Sequence, residues 1–355
     1  MYFARDTTIY AAMEVPLLIT ALTLVLGLLF ILLGAELFTN AVEWLGKRLN
    51  LGDSAVGSVF AALGTALPET MIPVAAILFG TGGAESQAVG VGAILGAPFM
   101  LSTLAFFVAG ISKLAFGISG GGTRRTLSVN TGGMRRDLSY FLIVFSLAFL
   151  AAFINVYAVK AAIAIGLVFT YGYYVKKTID ESGESAEGHL TPLLIAKKVQ
   201  APGLPMILLQ VAIALAILVG VAHIFVGALE RLSHAIGISP FILTLLIAPV
   251  ATELPEQFNS VLWIKHGKDT LAMGNITGAM VFQSSMIPAL GILMTPWKMD
   301  FFGMTSVILA LVSTFIVFLY LKYRNALSYR ILLPGGALYG AFVALVVVSG
   351  GQSLF

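Results

Sequence analysis

Gly64-Thr65-Ala66-Leu67-Pro68-Glu69 and Ala251-Thr252-Glu253-Leu254-Pro255-Glu256 are two versions of one hexapeptide, each set inside an apolar run long enough to form a membrane helix. A mid-helix proline removes one backbone N–H and presses its ring on the preceding turn, which releases the carbonyl about four residues back. Those carbonyls belong to Gly64 and Ala251. Thr65 and Thr252 stand beside them, and Glu69 and Glu256 bring a carboxylate to the same break. A charged group at membrane depth costs at least about 2.5–3.5 kcal/mol, and it persists mainly where it lines a pathway or binds an ion. Two carboxylates, two hydroxyls and loose carbonyls are all hard oxygen donors. Such a set suits Ca²⁺, which takes about 6 to 8 oxygens in flexible geometry, better than any soft metal.

The rest of the chain has the composition of a bilayer protein. Of its 355 residues 59% are hydrophobic and only 10% charged, with mean hydropathy +0.98. That is too few charges for a water-facing surface, where about 25% is usual. A hydrocarbon core of ~30 Å takes roughly 20 helical residues to cross, and runs of that length recur from end to end, leaving no room for a sizeable soluble domain. Packed membrane helices tolerate the 37 Gly and 13 Pro, because neighbouring groups satisfy the freed backbone. With no Cys there is neither a disulfide nor a thiolate metal site. The net charge of +3 needs no nucleic acid to explain it. Met1 to Glu14 is hardly basic and the apolar run from Val15 exceeds a signal-peptide core, so it reads as a retained first span.

Marking the runs and their breaks predicts ten helices, near 15–45, 54–80, 88–112, 138–156, 158–176, 204–233, 238–264, 269–294, 302–322 and 331–349. The fourth and fifth come from one run, Ser139 to Val175, which needs a tight turn near Asn155 to Tyr157. Lys and Arg accumulate in cytoplasmic loops. Here all of the 20 except Arg5, Lys160, Arg231 and Lys298 follow an odd-numbered helix. The odd loops are therefore expected in the cytoplasm and both termini outside, in a multi-pass protein of the cell membrane. The polar stretch from Lys176 to Gly203, with Asp180, Glu181, Glu184 and Glu187, lies at the midpoint. The expected organisation is thus all-α: a five-helix repeat over 1–176, a cytoplasmic linker over 177–203 and a second five-helix repeat over 204–355. An odd number of spans per half inverts the second half relative to the first, as in many secondary transporters. The offset between the hexapeptides also places Glu43 on Glu230 and Glu36 on His223, and a slightly shorter one pairs Gly92 with Gly274 and Gly96 with Gly278.

In these features the chain resembles the sodium/calcium exchanger branch of the calcium/cation antiporter superfamily, whose two repeats carry a G-T-S-x-P-E core. The resemblance implies Glu69 and Glu256 as central calcium ligands, with Thr65 and Thr252 in the ion path. That family usually carries G-N-x-x-G-S-N in helices 3 and 8. Here helix 8 has Gly274-Asn275-Ile276-Thr277-Gly278-Ala279-Met280, and helix 3 has Gly92-Ala93-Ile94-Leu95-Gly96-Ala97-Pro98. Asn275 keeps the motif position and is taken as a ligand; Gln283 is the other amide surviving on helix 8. Glu253 is the unusual residue, because its counterpart in the first repeat is Ala66. It precedes Glu256 by one helical turn, and Asn259 extends the same stripe. With Glu69, it makes a third carboxylate where a dication balances two, so Glu253 is assigned the proton-sensitive role. Glu36, Glu43 and Glu230 are assigned to structure or the membrane edge.

The resulting expectation is a secondary active antiporter that moves Ca²⁺ in exchange for Na⁺ by alternating access. The scarcity of side-chain oxygens for sodium keeps a Ca²⁺/H⁺ exchanger beside it. A passive channel could use the same ligands, and only a flux tied to a counter-ion gradient separates it. An intramembrane protease is the enzyme-class rival, on Gly117-Ile118-Ser119-Gly120, but nothing marks His223 as its base. No catalytic residue and no cofactor are expected; the partners are inorganic cations and the lipid bilayer, and oligomeric state leaves no trace in the sequence.

Overall fold

A computed structural model of the protein describes residues 17–48, 67–80, 83–119, 126–181 and 191–350. Helices dominate, because a chain in hydrocarbon must satisfy every backbone group within its own segment. In order they are α1 (Leu17–Arg48), α2 (Leu67–Phe79) and α3 (Ala84–Met100). A π-helical turn (Leu101–Ala105) joins α3 to α4 (Phe106–Ser119). Then come α5 (Thr131–Ala151), α6 (Tyr157–Glu181), α7 (Leu204–Ile236), α8 (Pro240–Lys265) and α9 (Asp269–Met294). The last are α10 (Phe301–Arg324), the short α11 (Tyr329–Leu332) and α12 (Pro334–Val348). Among the described residues seven helical segments are long and apolar enough to span a bilayer, and the bent α8 makes an eighth. The protein is a polytopic all-α membrane protein.

Burial separates centre from periphery. The most apolar windows of the α3–α4 unit and α9 are 78% and 72% buried, against 22% for those of α1, α6 and α7. The outer helices turn large apolar side chains such as Leu18, Phe169 and Leu209 outward, as a lipid-facing surface requires. At the centre α3 packs against α8, and α9 against α5 and α6. The α3–α8 approach is close because Gly92 and Gly96 lack side chains: a Cβ there would lie 2.4 Å from the Phe241 carbonyl oxygen and 2.2 Å from that of Leu245. α1 and α7 pair along their lengths to one side.

Counted along the ten expected spans and not by the helix labels above, the loop contacts among the described residues join loops of like parity. On one face Thr126 and Leu127 pair antiparallel with Ser328 and Leu327, and Thr131 meets Asn325. There Asp269 accepts from Lys113 Nζ at 2.6 Å and from the Ser128 N–H at 2.8 Å. After the fifth expected span, Asn40 on α1 and Gln210 on α7 strap residues 191–195 through four side-chain–backbone hydrogen bonds and one to the Thr191 hydroxyl, and Gln210 also donates to the Leu37 carbonyl. After even helices, His234 meets Glu85 at 3.0 Å and Ser86 donates to Glu230 at 2.7 Å. Lys160 donates to the Pro296 carbonyl at 2.7 Å, and the Trp297 indole to that of Ala148 at 2.9 Å.

Three boundaries differ from the sequence reading. α4 runs to Ser119, so Lys113 lies within a helix, where Asp269 neutralises it. α5 begins at Thr131, capped by the Asn130 side chain on the Gly133 N–H, so Arg135 and Arg136 are helical. α6 continues to Glu181, into the stretch taken as linker. In each case charges that read as a loop are carried by a helix that projects beyond its apolar run. The expected break near Asn155 to Tyr157 falls between α5 and α6.

Candidate functional site

At the second hexapeptide α8 turns by 51° between Pro240–Leu254 and Glu256–Lys265. The residue between them is Pro255, whose nitrogen cannot donate to the Ala251 carbonyl. Glu253, Glu256 and Gln257 are spaced to share one face of the helix. All three line a cavity of about 370 Å³, together with Glu69 of α2 and with Asn275 and Gln283 of α9.

Glu69 and Glu253 are buried, and Glu256 is half-buried. Glu253 Oε1 accepts from Gln283 Nε2 at 3.1 Å. Glu69 and Glu256 each keep a buried Oε2 with no hydrogen-bond partner in the protein. All three carboxylates line the one cavity. Buried carboxylate oxygens of this kind are costly unless something positive meets them. Among the described residues no three acidic or histidine side chains already converge as a closed metal cage. The arrangement is an open cavity with carboxylates on its wall.

The other end of the cavity holds a cluster the sequence reading missed. Asp137 on α5 accepts from Thr277 Oγ1 at 2.8 Å, Tyr174 Oη at 3.1 Å and Arg136 Nη2 at 3.1 Å. These bonds tie α5, α6 and α9 together, and they fix the motif residue Thr277 to α5. Arg136 is also on the cavity wall, paired with Asp137. The mouth is formed by the exposed Asn130, Thr270 and Gly274, on the face that carries Lys113, Asp269 and the paired strands.

Of the expected ligands, Glu69, Glu253, Glu256 and Asn275 are brought together on this wall. Thr252 and Ala251 are not: the Thr252 hydroxyl is buried and donates back to the Ala248 carbonyl at 3.0 Å. Thr65 and Gly64 lie outside the described residues. Asn259 points to an exposed surface, and Gln257 takes its place in the polar stripe. Continuing that stripe from Glu253 by four residues would have found Gln257. Glu36 and His223 are exposed on α1 and α7, and Glu43 is half-buried away from the cavity.

Comparison with known proteins matches residues 19–176 and 206–350 to the sodium/calcium exchanger protein family. The chain is 26% identical over 285 residues to the inner membrane protein YrbG of Escherichia coli (strain K12), covering 80% of this chain and 82% of that one. It is 23% identical over 289 residues to the putative antiporter CaxA of Alkalimonas amylolytica, covering 80% and 83%. Among solved structures, the H⁺/Ca²⁺ exchanger CAX superposes with a TM-score of 0.69 at 16% identity, over 92% of this chain and 82% of that one. The sodium-calcium exchanger NCX_Mj gives 0.55 at 20% identity, over 94% and 99%.

Proposed function

The chain belongs to the sodium/calcium exchanger family, whose members are membrane transporters, and from that premise we propose that it is a secondary active antiporter moving Ca²⁺ in exchange for Na⁺ by alternating access. The observation that carries this reading is the meeting of Glu69 and Glu256, one from each hexapeptide, on one cavity wall with an unpartnered oxygen apiece. A dication between two carboxylates is charge-matched, and oxygen is the donor calcium takes. The cargo ion is the positive partner those oxygens lack.

Ten spans in two inverted repeats, 1–176 and 204–355 with the linker between, belong to the same proposal. The grouping of loops by parity supports it, since an even count between two loops returns the chain to the same face. Cytoplasmic odd loops and external termini rest on the distribution of Lys and Arg. The cavity's mouth among the odd loops, and the tight α3–α8 contact, then correspond to access from the cytoplasm.

A second reading, Ca²⁺/H⁺ exchange, is favoured by one observation: Glu253 adds a third carboxylate beyond the two a dication matches. Calcium uptake into proteoliposomes under an imposed sodium gradient, and then under a proton gradient, distinguishes the two. Glu69→Gln and Glu256→Gln each remove one of the matched charges and are expected to abolish calcium flux under either gradient while the protein still folds. Wild-type flux in either variant refutes the site.

A further inference from the structure

Gln257 is a cavity residue beside the three carboxylates that the proposed transport site does not use. It sits directly after Glu256 and one turn beyond Glu253, is only 6% exposed, and lines the same wall. Neither its Oε1 nor its Nε2 has a hydrogen-bond partner in the protein. Most buried side-chain amides are satisfied by protein groups, because leaving them otherwise is costly. An amide kept in that condition beside three carboxylates is matched to what enters the cavity.

The donor count says what it would do there. Ca²⁺ takes about 6 to 8 oxygens, and two carboxylates offer two each. The balance must come from neutral oxygens. Helix α3 has none to give from its motif positions: Ala93 and Ala97 are both buried and apolar, and Pro98 has no side-chain oxygen. On α9 Asn275 remains and Gln283 has its amide N–H on Glu253. We propose that Gln257 is a further ligand of the transported dication, its amide oxygen taking the place of the side-chain donors that α3 lacks. This rests on the reading of Glu69 and Glu256 as the dication site.

An amide oxygen adds a donor without adding charge. Its effect therefore falls on coordination number, which separates Ca²⁺ from Mg²⁺: the smaller ion keeps a rigid octahedral shell and most of its waters, whereas calcium accepts many protein oxygens. The first repeat carries Thr70 at the matching position, so the two halves contribute unequally.

Isothermal titration of the full chain, purified in detergent, with calcium chloride and with magnesium chloride tests this. Gln257→Leu keeps the volume and deletes the donor, and it is expected to weaken calcium binding about tenfold or more, the loss of about 1.4 kcal/mol. Magnesium affinity is expected to change by less than about threefold, so the ratio of the two falls. The melting temperature without added divalent ion should be unchanged or higher, since no protein hydrogen bond is lost. Gln257→Met, unbranched and of similar length, makes the same comparison if the leucine variant does not fold. An unchanged calcium-to-magnesium ratio overturns the ligand role, as does a drop in ion-free melting temperature with both affinities falling alike. A wild-type protein that binds neither ion overturns the dication reading itself, and the inference with it.

Discussion

The two glycine pairs that match in sequence are predicted to respond oppositely to alanine. At Gly96 on α3 a Cβ would lie 2.2 Å from the Leu245 carbonyl oxygen and 2.8 Å from Pro249 Cγ. Carbon and carbonyl oxygen settle at about 3.3–3.6 Å, so α3 and α8 would have to part by about 1 Å. The obstructing atom is backbone and cannot swing aside. Overpacking of this kind costs typically about 1–3 kcal/mol. At Gly278, its counterpart on α9, the nearest obstacle among the described residues is Tyr174 Oη at 3.9 Å, and at Gly274 nothing lies within 4 Å. An alanine at 278 meets ordinary contact and gains the roughly 0.5–1 kcal/mol by which alanine exceeds glycine inside a helix. The expected separation between Gly96→Ala and Gly278→Ala is therefore about 2 kcal/mol, with only the first destabilising. Thermal unfolding of the two variants in the same detergent measures it. Equal losses at the two positions would refute the claim that α3 is seated on α8 while the matching face of α9 fronts the cavity.

Two further predictions concern charge and sidedness. Protons and cations compete for the same carboxylates, so calcium affinity is expected to fall as pH falls. Glu253→Gln, fixed in the neutral form, should flatten that dependence and leave transport measurable; an unchanged pH profile would instead favour the sodium-coupled reading. The protein has no cysteine, so one introduced at Gln200 should react with an impermeant thiol reagent only after lysis, and one at Gly83 in intact cells. The reverse pattern would invert the proposed orientation.

The sequence was most informative where physics acts locally. Apolar runs mark helices because hydrocarbon leaves the backbone no alternative, and the bend in α8 falls at the proline that lacks the N–H. The glutamates after each proline were legible because a carboxylate in an apolar run is costly enough to need a reason. Helix ends were harder: Arg135 and Arg136 read as loop because the polar first turn of α5, capped by Asn130, precedes its apolar run, and Lys113 read as loop because the carboxylate that neutralises it, Asp269, is distant in sequence. The Asp137 cluster was invisible for the same cause, since its donors Tyr174 and Thr277 come from two other helices. Gln257 was missed through register. A stripe drawn at three-residue steps reaches Asn259, whereas four residues on from Glu253 lies the buried side of the helix.

The duplicated hexapeptides therefore make an asymmetric site, and the asymmetry bears on how an exchanger could work. If both halves contributed alike, the cavity would hold Glu69 and Glu256 with matched hydroxyls, a set that balances one dication and leaves nothing over. The second half instead adds Glu253 and Gln257 on the same helix, one bringing charge and the other a neutral oxygen. Two carboxylates can hold calcium while the third, bonded to Gln283, still requires a proton, another cation or solvation. An exchanger must bind its two ions to overlapping groups so that one displaces the other, since an ion that interacts equally with both conformations shifts neither. In the proposed site Glu253 would be the group shared in this way, since it lines the same cavity as Glu69 and Glu256 and already accepts from Gln283. On the proposed reading the coupling ion would be decided by what satisfies Glu253 once calcium has left, which is why its neutral variant bears more directly on mechanism than loss of either matched glutamate.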